Sequence, residues 1–149
     1  MNLQEKVMTE LKAAMRAKDA NKLEALRAVK SAILLAQTSG SGKDGLNDEE
    51  EIKLLQRLVK QRKESAEIYL EQGREDLAKP ELDQAAVIEQ FLPEQLSEEE
   101  IEAKVEEIIS KTGASGMKDM GKVMGMASKE LAGKADGKTI SMIVKKKLA

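Results

Sequence analysis

Apolar residues return along this chain every third or fourth position, and no window sustains the strict alternation of a half-buried strand. Leu3, Val7, Leu11 and Met15 are spaced i, i+4 and predict a first helix with those four side chains on one face. A second helix follows, capped by Asn21, with Leu23, Leu26, Val29, Ile33 and Leu34 along its apolar side. TSGSGKDGLN, residues 38–47, reads as a flexible break. From about Asp48 the rhythm becomes a heptad, Ile52, Leu55, Val59, Arg62, Ala66 and Tyr69. That spacing predicts a long third helix in a helical hairpin or short coiled-coil seam, ended by Gly73.

A fourth helix is expected from about Arg74 to Phe91. Pro80 falls inside it, and a proline in a helix interior costs about 3 kcal/mol, so a kink or interruption is expected at Lys79. FLPEQLSEEE is the clearest boundary: Pro93 stops the preceding helix, and Ser97 with Glu100 makes a capping box for the next. That fifth helix carries Ile101, Val105, Ile108 and Ile109 and stops near Gly113. Two more are expected, from about Met117 to Ala132 and from about Lys138 to Leu148. The fold expected is all-α: an N-terminal helical lobe over 1–92 and a compact three-helix domain over 93–149.

Composition narrows the chemistry. The 149 residues include no histidine and no cysteine, which removes the commonest general base, the usual metal ligand, thiol catalysis and disulfides. No catalytic constellation, metal site or cofactor is expected. No apolar run approaches the length of a membrane span and the first fifteen residues do not read as a signal peptide, so a soluble cytoplasmic protein is expected, with no membrane partner.

The net charge of −2 conceals an asymmetry. Residues 92–110 hold seven carboxylates against one lysine, whereas residues 111–149 hold nine lysines against three carboxylates. Such a split points to a polyanionic partner, or else to lysines that merely offset acidic neighbours. On a helical wheel Met120, Val123, Met124, Ala127 and Leu131 share the core face of the sixth helix, and Lys118, Lys122 and Lys129 lie roughly opposite. Gly121 and Gly125 fall at the boundary between these faces, where each costs about 1 kcal/mol relative to alanine. Close packing of another helix is the first reason to expect for them, and approach of some other surface to the backbone is the second. Met126 projects off the apolar stripe and is expected to be exposed, as part of an adaptable surface for a protein partner. RLVKQRK, residues 57–63, is a second basic cluster, read mainly as solvated helix surface.

GKADGKT, residues 133–139, ends like a phosphate-binding P-loop but fails its geometry. The glycine required five positions before Gly137 is Ala132, and the segment before it is helical in pattern, not a strand. The stretch reads instead as a turn, with Gly133 ending one helix and Asp136 or Thr139 capping the next. Free amides at the start of that last helix, with Lys134 and Lys138 beside them, remain a weaker anion-binding option.

FLPEQLSEEEI, DMGKVMG and GKADGKTISMIVKKKL resemble the GatB/YqeY family, specifically its small YqeY-like members, and the resemblance covers essentially the whole chain. It implies a helical lobe followed by a domain similar to the tRNA-contacting tail of the amidotransferase B subunit. Carried onto this sequence, it implies Lys118, Lys122, Lys129, Lys134 and Lys138 as tRNA-backbone contacts. It also marks Gly121, Gly125 and Gly133 as positions of close packing or close backbone approach. By family association it further implies carbon–nitrogen ligase activity with glutamine as amido-N-donor. The leading expectation is a non-catalytic module binding tRNA, or a complex that carries it. Amide transfer and a protein–protein adaptor role are the alternatives.

Overall fold

The computed structural model of the protein describes residues 2–39 and 46–149, in which seven α-helices and no strand are found. Residues 40–45 of the expected glycine–serine break lie outside them. The chain divides into two compact units, Met1–Leu92 and Pro93–Ala149.

The first unit contains α1 (Leu3–Ala17), α2 (Ala20–Thr38), α3 (Asp48–Glu71) and α4 (Glu75–Glu89). α3 packs along α4 as the hairpin its heptad predicts, and α2 packs on both α1 and α4. Leu3, Val7, Ala25, Val29, Ile33, Leu55, Val59, Ala85 and Ile88 form the main core, and Leu11, Ala14 and Leu26 form a smaller one. At the end of α1, Ala14 fills the buried place expected of Met15, which is 52% exposed. Leu34 is likewise about half exposed, not on the core face.

Asp19, not Asn21, caps α2, accepting a hydrogen bond from the Lys22 amide at 3.1 Å. Asn21 lies inside the helix and reaches α4, donating to the Pro80 carbonyl at 3.1 Å and accepting from Gln84 Nε2 at 2.8 Å. The expected interruption at Lys79 does not occur, and α4 runs through Pro80. Pro80, the sixth residue of α4, forfeits one helical hydrogen bond and crowds the carbonyl four residues before it, but the burial of Ala78, Gln84, Ala85 and Ile88 holds the helix in place.

The second unit is a bundle of α5 (Glu98–Thr112), α6 (Met120–Glu130) and α7 (Gly137–Leu148), each packed on the other two. A short 3₁₀ turn, Met117–Asp119, leads into α6. Both hydrogen bonds of the Ser97–Glu100 capping box are present at 3.2 Å, and Gly113 ends α5 at φ +66°, a conformation that disfavours a side chain. The core is Ile101, Val105 and Ile108 of α5, Val123 and Ala127 of α6, and Ile140, Ile143, Val144 and Leu148 of α7, closed by Leu131 and Ala135.

Candidate nucleic-acid interface

α6 buries Val123 and Ala127, with Met120 and Met124 half-buried beside them. The opposite side is left to solvent. There Lys122, Gly125 and Lys129 repeat at i, i+3 and i+7, Lys118 stands in the 3₁₀ turn just ahead, and all four are exposed. Gly121, the second residue of α6, is exposed next to them.

The close helix packing expected at Gly121 and Gly125 is absent. A Cβ built on either would meet no atom within 4 Å. The glycines therefore lower the profile of an open surface between lysines. Gly133 differs: it is buried, adopts φ +77°, and its carbonyl accepts a hydrogen bond from Gln95 Nε2 at 2.6 Å. Beside it the Leu96 amide donates to the Lys134 carbonyl at 2.9 Å. The GKADGKT turn is thus fastened to the segment before α5, and its backbone shapes the turn. Asp136 caps α7, its Oδ1 3.5 Å from the Lys138 amide.

α7 buries Ile140, Ile143, Val144 and Leu148 and exposes Lys138, Met142 and Lys145 at i, i+4 and i+7. Lys145 belongs to this face as much as Lys138 does. The signal is present in the sequence, because Lys145 stands seven residues after Lys138, but it is hidden inside the KKK run. Met126, expected outside, packs half-buried against the core, and the exposed methionines of this unit are Met117 and Met142.

The lysines fall into two sets. Lys147 Nζ lies 2.6 Å from Glu106 Oε1, and Lys146 Nζ lies 3.7 Å from Glu102 Oε1, so α5 and α7 are tied by charge at the end of α7. Glu106 holds the Lys147 ammonium above the ordinary lysine range through that hydrogen bond. Lys111 is paired with Glu107 at 3.4 Å within α5. By contrast, Lys118, Lys122, Lys129, Lys134, Lys138 and Lys145 form no ion pair among the described residues. Of the three carboxylates after residue 111, Asp119 accepts from the Ser115 amide at 2.8 Å and Asp136 caps α7. The third, Glu130, is exposed at the end of α6 beside Lys129, so the outer faces of α6 and α7 carry unpaired ammonium groups with a carboxylate at one edge.

A family model described as Yqey-like protein matches residues 4–148. The chain belongs to that family. The E-type subunit of glutamyl-tRNA(Gln) amidotransferase from Thermococcus gammatolerans is 40% identical to it over 73 residues, covering 46% of this chain and 12% of that protein. The Yqey-like chain therefore corresponds to a small part of that relative's length.

Half of the basic cluster of α3 in this Yqey-like fold is engaged within the first unit. Arg62 turns inward, donating to Gln84 Oε1 and the Leu58 carbonyl, both at 3.1 Å, and Lys63 pairs with Glu89 at 2.6 Å. Arg57 and Lys60 are the residues of RLVKQRK left exposed without an ion pair among the described residues. No helix among the described residues is long and apolar enough to cross a membrane.

Proposed function

We propose that this chain is a non-catalytic helical module that binds tRNA, or a complex carrying tRNA, through the outer faces of α6 and α7. The observation that carries this reading is the set of six exposed lysines on α6, α7 and the turns beside them that form no ion pair among the described residues, against a single exposed carboxylate of α6, Glu130. Such a surface neutralises backbone phosphates and releases their counterions, a term that does not depend on sequence. The only aromatics are Tyr69 and Phe91, both in the first unit, so stacking on unpaired bases has little to work with in the second. Recognition then rests on the shape and charge of a folded RNA. The name of the similar amidotransferase, which includes tRNA(Gln), supports that class of partner, and the cytoplasm is the location we propose with it.

The test is binding of unfractionated tRNA across a salt series, with Lys118, Lys122 and Lys129 changed together to Ala. The expected result is weaker binding and a flatter dependence on salt, by about 0.7 to 0.9 in log–log slope for each phosphate no longer neutralised. Unchanged affinity and slope overturn the reading. A part in glutamine-dependent amide transfer rests on the relative's name alone, and ammonia release from glutamine by the purified chain is its test.

A further inference from the structure

α7 ends in three consecutive lysines, which successive turns of about 100° point in three directions. Lys145 continues the exposed Lys138–Met142 face. Lys146 and Lys147 turn toward α5, where Glu102 and Glu106, one helical turn apart, receive them at 3.7 and 2.6 Å. The Lys147 side chain is only 26% exposed, so its ammonium is held against the bundle, while that of Lys146 is 75% exposed. Glu106 and Glu102 sit immediately after the buried Val105 and Ile101, so the packing of α5 on α7 fixes their position.

Resting on the RNA reading above, we infer that Glu102 and Glu106 set the edge of the RNA-facing surface by holding Lys146 and Lys147 out of it. An ammonium bonded to a carboxylate adds little net attraction for a phosphate, and to recruit it the phosphate must displace or approach an anion. A polyanion is thereby confined to the outer faces of α6 and α7. The two carboxylates favour selectivity over affinity, since freeing both lysines would widen the basic surface to bind any phosphate backbone more tightly.

The experiment uses the full chain and unfractionated tRNA as probe. Glu102→Gln with Glu106→Gln is expected to tighten binding about threefold to tenfold at low salt and to steepen the salt slope by the equivalent of roughly one to two phosphates. Adding Lys146→Ala and Lys147→Ala to that variant is expected to abolish the gain. The same two lysine changes in the wild-type chain are expected to alter affinity by less than about twofold, because those groups are already engaged. Glu98→Gln with Glu99→Gln removes the same charge from α5 without freeing a lysine, and is expected to give no comparable gain.

A gain that persists without Lys146 and Lys147, or an equal gain from the Glu98 and Glu99 changes, overturns the inference. Exposed pairs add little to stability, so the variants are expected to melt cooperatively near the wild type. Glu102→Gln alone, at the looser pair, serves if the double change unfolds. Wild-type binding with no gain in the glutamine variant removes this inference alone. Failure of every variant to bind removes the RNA reading with it.

Discussion

Gln95 Nε2 donates to the Gly133 carbonyl at 2.6 Å, joining residues 38 positions apart. The same amide also reaches the Pro93 carbonyl at 2.8 Å, and the neighbouring Leu96 amide takes the Lys134 carbonyl. The segment before α5 therefore acts as a strap across the α6–α7 turn. Gly133 is buried but Gln95 is exposed, so removing the Gln95 amide loses the bond and lets water approach the carbonyl. Gln95→Ala is expected to cost about 0.5 to 1.5 kcal/mol, read by urea or thermal unfolding. Gly133→Ala should cost about 1 to 2 kcal/mol by a different route, since φ +77° crowds a Cβ. If Gln95→Ala unfolds like the wild type, the strap is ornamental.

In the first unit a chain of polar groups joins three helices. Arg62 of α3 donates to Gln84 of α4, Gln84 donates to Asn21 of α2, and Asn21 donates to the Pro80 carbonyl. Gln84 is the buried polar residue at the centre, 6% exposed. Gln84→Ala takes the partner from Arg62 Nε and Asn21 Oδ1 and is expected to destabilise the protein by roughly 1 to 3 kcal/mol. A double-mutant cycle with Asn21→Ala should show coupling, and strict additivity would argue against a network.

That network marks the limit of what the sequence discloses. Helices are legible because a 3.6-residue apolar period is a local signal, and the Ser97–Glu100 capping box is written within four residues. The hydrogen bond between Asn21 and Gln84 spans 63 positions and leaves no trace in either helix's pattern, so Asn21 reads as a cap. Met15 and Ala14 fall on neighbouring positions of one stripe, and only the packing decides which is covered. For the candidate site, the lysine stripe of α6 can be read from spacing alone. The open space above Gly121 and Gly125 cannot, because glycine carries no side chain to reveal which way its surroundings lie.

Lys18 closes α1 in the left-handed conformation, φ 57° and ψ 35°, and is the non-glycine residue with positive φ among those described. That geometry costs an L-residue about 1 kcal/mol or more. Lys18→Gly is expected to raise stability by up to about 1 kcal/mol, offset in part by greater freedom of the unfolded chain. A lower melting temperature would mean that the Lys18 side chain makes a compensating contribution.

The Lys147–Glu106 pair predicts an alkaline effect. Its ammonium titrates above the ordinary lysine value when folded, chiefly through the hydrogen bond from Lys147 to Glu106. A raised folded-state value means the folded chain binds the proton more tightly. The pair's contribution is thus fully present below the unfolded lysine value, about 10.4, and is lost as pH rises through the folded one. The stability difference between wild type and Glu106→Gln should stay level from neutral pH to about 9 and shrink above about 10.4. A difference that grows in alkali contradicts the pairing.

Gly121 and Gly125 give the sharpest test of the proposed surface, because fold and function should respond with opposite signs. Both are in α6, both are exposed, and an added Cβ would meet no atom within 4 Å among the described residues beyond its own helix backbone. On helix propensity alone, Gly125→Ala should stabilise the protein by about 1 kcal/mol. Gly121→Ala should give less, because it lies in the first turn, where helix propensity counts for less than at the helix centre. If an RNA backbone lies against the helix between Lys118, Lys122 and Lys129, the new methyl groups stand where the phosphodiester must come closest. The double alanine variant is then expected to melt higher and to bind tRNA about threefold to thirtyfold more weakly, equivalent to roughly 0.7 to 2 kcal/mol. Higher stability with unchanged binding would place the partner elsewhere. Lower stability would show that the glycines serve the fold after all, through an interaction that an empty Cβ position does not disclose.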